Sequence, residues 1–321
     1  MNRRQWTFAV ATLAATPWAS ASPPYPSRPI RLIYNFAPGG PGDAVARDLA
    51  ARMSGLLGQP IVVENVSGGG GAVGILATAR APGDGYTLLF AALTGIVQVP
   101  LVTGNGSFDP FRSVAPIANV GSAPLALIVS ADVPADDFPS FAAWARKQPA
   151  GVDVGGAGPI MEVATKMLAR EAGLNLVWVP YRGAAPALQA VLAKETKSTL
   201  QVPSAMLTEY IKTGKVKVIG VTSAQPSALL PGVAPIANHI PNYVQDINFV
   251  LWSPPGLPPA TAGKIDAALA AVLAQPDMSA RLEANGMVKN HGTPAEVGRI
   301  TRRENDNIRK VLETASIHFG G

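Results

Sequence analysis

The sequence predicts an α/β fold with largely parallel sheets, and three observations carry that prediction. Short apolar runs alternate with amphipathic stretches of helical period through most of the chain. The alternation breaks off and restarts near residue 140, which predicts two such units in one chain. Hydrophobic residues make up 48% of the sequence and charged residues only 15%, enough apolar material to bury two cores.

Taken in order, Ile30–Phe36 reads as a strand. Ala44–Leu57 reads as a helix with Val45, Leu49, Met53 and Leu56 on one face, stopped by Gly58 and Pro60. A strand at Ile61–Val66, a helix at Ala72–Ala79 and a strand at Tyr86–Phe90 follow. Leu125–Ser130 is a continuous apolar run of the buried-strand type. In the second stretch, Phe141–Arg146 is helical, Gly151–Val154 a strand, Ile160–Ala172 a helix, Leu176–Val179 a strand and Pro186–Leu192 a helix. Ser204 has the residue type of a helix cap for Met206, Leu207 and Ile211, and Val216–Val221 is a strand. The last stretch reads as a strand at Phe249–Trp252 and helices at Thr261–Leu273 and Met278–Asn285. Thr293-Pro294-Ala295-Glu296 has the residues of a capping box that opens a long C-terminal helix.

The first 21 residues have the form of an export signal. Arg3 and Arg4 precede an apolar stretch from Trp6 to about Ala15, too short to span a bilayer, and Ala19-Ser20-Ala21 fits a cleavage site. The expectation is an exported protein cleaved near Ala21. Loss of the two leader arginines lowers the formal net charge from +5 to +3. With no basic block and no interleaved aromatics, nucleic acid is not an expected partner. A mild positive field suits an anionic ligand. The absence of cysteine excludes thiol catalysis and thiolate metal sites.

Two glycine-rich loops stand out. Phe36, Ala37, Pro38, Gly39, Gly40, Pro41, Gly42 and Asp43 follow a strand and open a helix, and Gly155, Gly156, Ala157, Gly158 and Pro159 repeat the arrangement. Glycine allows a tight turn and close approach of a ligand, and the helix start offers unpaired N–H groups at the positive end of the helix dipole. Each loop is thus a candidate anion cradle made of backbone, or else a tight strand-to-helix turn and nothing more. Arg182, between Tyr181 and Gly183, stands at a third strand-to-helix junction and is a candidate partner for a carboxylate. Gly69–Gly74 contains a formal G-x-G-x-x-G, but no acid follows at the spacing a dinucleotide site needs, so it reads as a packing turn. His239, His291 and His318 are scattered, and no G-x-S-x-G elbow is present; no metal, cofactor or catalytic residue is expected.

Several segments together resemble the substrate-binding proteins of tripartite tricarboxylate transporters, the Bug family. They are Tyr25–Ile30, Pro38–Asp43, Gly58–Asn65, Asp84–Leu89, Val179–Ala187 and Val221–Ser223, in order along the chain. The resemblance implies a two-lobed periplasmic binding protein of type II-like form, two α/β domains joined by two crossing strands with a ligand cleft between them. The lobes would be residues 22–123 plus 247–321 and residues 124–246. It also implies a small carboxylate ligand (an organic acid, acidic amino acid or aromatic acid) held by backbone of the Pro38–Asp43 loop, by waters and by the second-lobe loops. Thr94 and Gln201 fall at further implied pocket positions. The sequence departs from the family where Pro159, Ile160 and Glu162 replace hydroxyl and histidine residues, and where Gln201 replaces an aspartate, which points either to a ligand less polar than citrate or to a degenerate site. The implied protein is a monomer without enzymatic activity, serving the membrane subunits of a tripartite transporter. The alternatives left open are a sensor protein as the partner and an NAD-binding enzyme on a similar scaffold.

Overall fold

The computed structural model describes residues 24–103, 106–181, 183–203, 205–241 and 243–314. The leader, Arg182, Ser204 and His318 lie outside them. The chain begins β1 (Ile30–Tyr34), α1 (Pro41–Leu57), β2 (Ile61–Asn65), α2 (Ala72–Ala79), β3 (Thr87–Ala92), α3 (Leu93–Thr103) and β4 (Ala115–Pro124). It continues with β5 (Ala126–Ser130), α4 (Phe138–Ala145), β6 (Val152–Ala157), α5 (Gly158–Ala172), β7 (Leu176–Tyr181), α6 (Ala184–Leu192), β8 (Ser198–Gln201), α7 (Ala205–Lys212) and β9 (Val216–Val221). It closes with β10 (Asp246–Ser253), α8 (Pro259–Leu273), α9 (Met278–Ala284), β11 (Val288–Gly292) and α10 (Pro294–Thr314).

The strands form two sheets, ordered β11-β4-β10-β3-β1-β2 and β7-β6-β8-β5-β9. Both are mixed, where the sequence suggested largely parallel pairing. β1 runs parallel to β2 and β3, and β6 parallel to β7 and β8, but β4, β10 and β11 pair antiparallel, as does β5 with both its neighbours. The reason is connectivity. The antiparallel strands include those that carry the chain from one sheet to the other.

Local signals explain most boundaries. α1 ends on Gly58 at φ 75°, whose N–H reaches Ser54 O. Its buried face is Val45, Leu49, Met53 and Leu57; Leu56, expected on that face, is 51% exposed, because the 3.6-residue period brings Leu57 around instead. The capping box on α10 forms, with Thr293 N–H donating to Glu296 Oε2 at 2.7 Å and Glu296 N–H to Thr293 Oγ1 at 3.3 Å. Four elements had no clear signal, the short β8 among them. α3 contains Gly95 and Pro100, and is held by burial of Leu93, Ile96, Val97 and Val99 rather than by helix propensity. β4 includes Asn119, Gly121, Ser122 and Pro124, and owes its extended form to partners on both sides. β11 is short, polar and irregular in register.

β5 is buried along its whole length. Leu127 and Val129 join the larger core with Phe138 and Phe141, while Ala126 and Ile128 face Leu188, Val191 and Leu207 on the other side. Only Leu125 separates β4 in the first sheet from β5 in the second. Thr222, fully buried after β9, welds this crossing to the returning chain. Its N–H donates to Leu125 O at 2.9 Å, its Oγ1 accepts from Leu125 N–H at 2.7 Å, and its hydroxyl donates to Gln245 O. Between the two sheets α5 packs on α3 and α10. Tyr243 Oη, buried completely, donates to Ala164 O at 3.0 Å.

Candidate functional site

Strand register determines where the loops meet. Ala92, at the carboxyl end of β3, lies opposite Phe249, and Asp246 lies opposite Pro124, so the carboxyl ends of the parallel strands sit at the crossing end of the first sheet. In the second sheet Gln201, the carboxyl end of β8, lies opposite Ala126, the first residue after the crossing. Both carboxyl edges therefore face the crossover and one another. Loops after the carboxyl ends of parallel strands are where open α/β sheets bind ligands.

In the first sheet the loop between β1 and α1 is held by one carboxylate. Asp43, 4% exposed, accepts from Gly39 N–H at 3.0 Å, Arg47 Nε at 3.0 Å and Asn65 Nδ2 at 2.8 Å. Asn65 Nδ2 also donates to Phe36 O at 3.1 Å, and Arg47 Nη2 to Asn65 Oδ1 at 2.7 Å. Burial alone would raise the Asp43 pKa, but the bonds from Arg47, Asn65 and Gly39 outweigh it and hold the carboxyl below its usual range. Gly39 N–H, one of the expected ligand donors, is thus committed to Asp43. The remaining donors are those of the first helical turn. Pro41 at the helix start has no N–H, and those of Gly42 and Asp43 have no intrahelical acceptor.

The glycines of this loop serve different ends. Gly39 has φ 90°, a conformation that favours glycine. A Cβ on Gly42 would lie 2.3 Å from Tyr34 Oη, so this glycine admits the tyrosine. Gly40 has φ −84° and ψ 168°, open to any residue, and a Cβ there meets nothing within 4 Å. Gly40 therefore makes no use of glycine's conformational freedom. What its small size leaves is open space beside the helix start. Phe36, 37% exposed, lies 6.0 Å from the Tyr34 ring and against Gly71, at which a Cβ would come within 3.1 Å of Phe36 Cζ. Gly74 packs so tightly that a Cβ would meet Val66 O at 2.7 Å, which accords with a packing turn for Gly69–Gly74.

In the second sheet, Gly155 and Gly156 lie inside β6 rather than in a loop. A Cβ on Gly155 would meet Tyr181 Cε2 at 3.0 Å, and one on Gly156 would meet Trp178 Cη2 at 2.5 Å. These glycines make room for rings of the neighbouring strand, and the cradle narrows to Ala157, Gly158 and Pro159 at the start of α5. Gly158 has φ 76° with open space around it. Register aligns Ala157 with Tyr181, the half-buried last residue of β7, and Gly183 follows at the start of α6. Glu162 pairs with Lys166 on its own helix at 2.7 Å.

Gln201 is 3% exposed, and its Oε1 has no hydrogen-bond partner among the described residues. Thr94 is buried in the first turn of α3. Two polar residues absent from the sequence-based candidates share these surroundings. Asn35, 1% exposed just after β1, donates to Gly71 O at 3.3 Å, and its Oδ1 and the Nε2 of Gln98, one helical turn beyond Thr94, have no partner among the described residues. An amide at the carboxyl end of the apolar run Ile30–Tyr34 was the available signal for Asn35. Two cavities of about 370 and 350 Å³ lie elsewhere, the first beside α10 and the second between Pro203 and Gly286, and neither is lined by the Phe36–Asp43 loop.

Two mixed α/β sheets joined by crossing strands, with strand-end loops facing across the junction, define a two-domain α/β binding protein. The particular family follows from comparison. Residues 45–316 match the model of the tripartite tricarboxylate transporter family receptor, and the chain belongs to that family. It is 30% identical to the protein BugT of Bordetella pertussis, over 73% of each chain. It is also similar to MatC from Rhodopseudomonas palustris, solved with bound malate (27% identity, 90% of this chain and 100% of that one, TM-score 0.76). A second R. palustris structure, Rpa4515 with adipate, is 26% identical, with a TM-score of 0.78 over 91% of this chain and 99% of that one.

Proposed function

We propose that the protein captures a small carboxylate between its two sheets and hands it to the membrane subunits of a tripartite transporter, without turning it over. The observation that carries this reading is the Asp43-braced loop at the start of α1, with first-turn N–H groups and open space at Gly40 where the two carboxyl edges face. Backbone donors at a helix start favour an anion, and the dipole adds to them. Malate and adipate in related proteins support a dicarboxylate.

In this proposal Phe36 and Ala37 form one wall, and Pro38, Gly40, Gly42 and Asp43 supply backbone. Thr94, Gly158, Pro159, Tyr181, Gly183 and Gln201 close the site from the other elements. The closing bodies are residues 22–123 plus 247–321 and residues 124–246. Residues 1–21 act as the export signal, and the mature protein works in the periplasm as a monomer.

The experiment is a thermal-shift panel of organic acids, with mass spectrometry of any co-purifying small molecule. A ligand at 100 times its Kd adds about 2.7 kcal/mol to stability. No shift across a broad panel of mono-, di- and tricarboxylates, beside a clear shift with NAD, overturns the proposal.

A further inference from the structure

The turn after α9 touches the segment after β8, backbone against backbone. Gly286 ends this helix in left-handed conformation, with φ 74°. Its N–H donates to Glu283 O and the N–H of Met287 to Leu282 O, both at 2.9 Å, the pair of bonds with which helices commonly stop on glycine. Buried Met287 anchors the turn. A Cβ on Gly286 would lie 2.3 Å from Pro203 O and 2.8 Å from Val202 Cγ1. Ordinary contact needs about 3.5 Å, so a methyl group here would require one segment to move by about 1 Å.

Turn chemistry alone does not account for that closeness. Gly173 ends α5 with the same two bonds, its own N–H donating to Arg170 O and that of Leu174 to Ala169 O, at φ 61°. A Cβ on Gly173 meets nothing within 4 Å. The two turns are alike, and what sets Gly286 apart is its neighbour. That neighbour lies across the junction between the sheets. Val202 and Pro203 follow Gln201, which faces Ala126 at the crossing, and Gly286 precedes Val288, which pairs with Ser122 near the end of β4. Beside the contact the two bodies part again. The cavity of about 350 Å³ has Pro203, Lys212 and Leu229 on one side and Glu283, Ala284 and Gly286 on the other. Across the same junction α5 packs on α3 and α10, so the contact at Gly286 accompanies the closed packing of the two bodies.

We propose that Gly286 is a positioning residue for capture: its bare Cα lets the two lobes come together, and any Cβ there acts as a stop that holds them apart. The inference rests on the proposed capture of a ligand between residues 22–123 plus 247–321 and residues 124–246. A displacement this near the connecting strands is magnified toward the far ends of the sheets. A ligand that needs contacts from both lobes loses part of them, although Gly286 touches no ligand itself.

The test reads lobe separation without a ligand. Two cysteines placed in a chain that has none, Arg112→Cys ahead of β4 and Glu195→Cys ahead of β8, carry spin labels at exposed sites remote from the crossing. In the ligand-free mature protein Gly286→Ala should move the shortest inter-label distances outward by at least about 2 Å, and Gly173→Ala should leave them unchanged. Affinity for malate or adipate, measured by calorimetry, should fall at least about ten-fold in Gly286→Ala and less than about three-fold in Gly173→Ala. Should Gly286→Ala fail to fold, Gly286→Asn keeps the Cβ on a residue that tolerates left-handed backbone. Unchanged label distances, an equal change in Gly173→Ala, or tighter binding in Gly286→Ala overturns the proposal. No binding of either acid to the wild type, beside lengthened distances in Gly286→Ala, counts against the capture reading alone and supports the stop.

Discussion

Asp43→Ala probes the brace on the β1–α1 loop. The substitution strips one acceptor from three donors: Gly39 N–H, Arg47 and Asn65. A hydrogen bond to a charged acceptor contributes about 1.5–3 kcal/mol. The Arg47 share is smaller, since its side chain is 50% exposed and such helical pairs contribute about 0.3–0.5 kcal/mol. The freed donors regain water in part, so the expected net loss is about 2–4 kcal/mol. At about 2–4 °C per kcal/mol, melting should fall by on the order of 8 °C. Affinity should fall as well, by about ten-fold or more, because the loop no longer holds its N–H groups in place before binding. Leu269→Ala, at a fully buried position on α8, provides the comparison: a loss of about 2–5 kcal/mol with affinity intact. The pH dependence has a definite sign. The Asp43 pKa is lowered in the folded state, so its contribution is present above the unfolded value of about 4 and disappears as pH falls through the depressed folded value. Wild type and Asp43→Ala should therefore converge in acid. Calorimetry and melting curves on the same samples decide the matter. An Asp43→Ala protein that melts early yet binds its carboxylate with wild-type affinity would refute the brace.

Two further predictions follow from the same structure. Gly40→Val should leave the melting temperature almost unchanged, since the backbone there is extended and unobstructed, while the added side chain blocks the space beside the helix start; lost stability with retained affinity would sink the assignment of that space to ligand. Glu304 is pushed up to about 7 by burial, with Arg303 lowering it and Asp246 raising it. A raised carboxyl pKa favours the folded state at low pH and withdraws that advantage as pH rises from about 4.3 toward 7. Glu304→Gln should flatten the decline in stability between about pH 5 and 8, and a variant with the wild-type slope in denaturant titrations would show that the slope arises elsewhere.

Much of the architecture was legible because local chemistry and burial agree there. α2 and β9 have the expected bounds, and the α10 capping box forms as its four residues suggest. The segments behind the family resemblance owe their legibility to structural work. Tyr25 Oη donates to Gly85 O at 2.8 Å, and Gly85, at φ 87°, is glycine because the Tyr25 ring lies against it. By contrast α3, β4 and β11 were not legible, since their residues oppose the conformations they adopt and only neighbouring elements hold them there.

The sequence by itself determined the class of fold, the order of most strands and helices, and the loop at Phe36–Asp43 as a glycine-rich junction between a strand and a helix. Those properties depend on periodicity and on glycine and proline at fixed offsets, which act over a few residues. Tertiary structure alone decided that Gly39 N–H belongs to Asp43 and that Gly155 and Gly156 house the rings of Tyr181 and Trp178. It alone brought Asn35 and Gln201 to the carboxyl ends of strands in separate sheets that face each other at the crossover. The physical reason is range. A propensity is written in neighbouring residues, whereas the use of a donor, a gap or a buried amide depends on atoms that only strand register brings within a few ångströms.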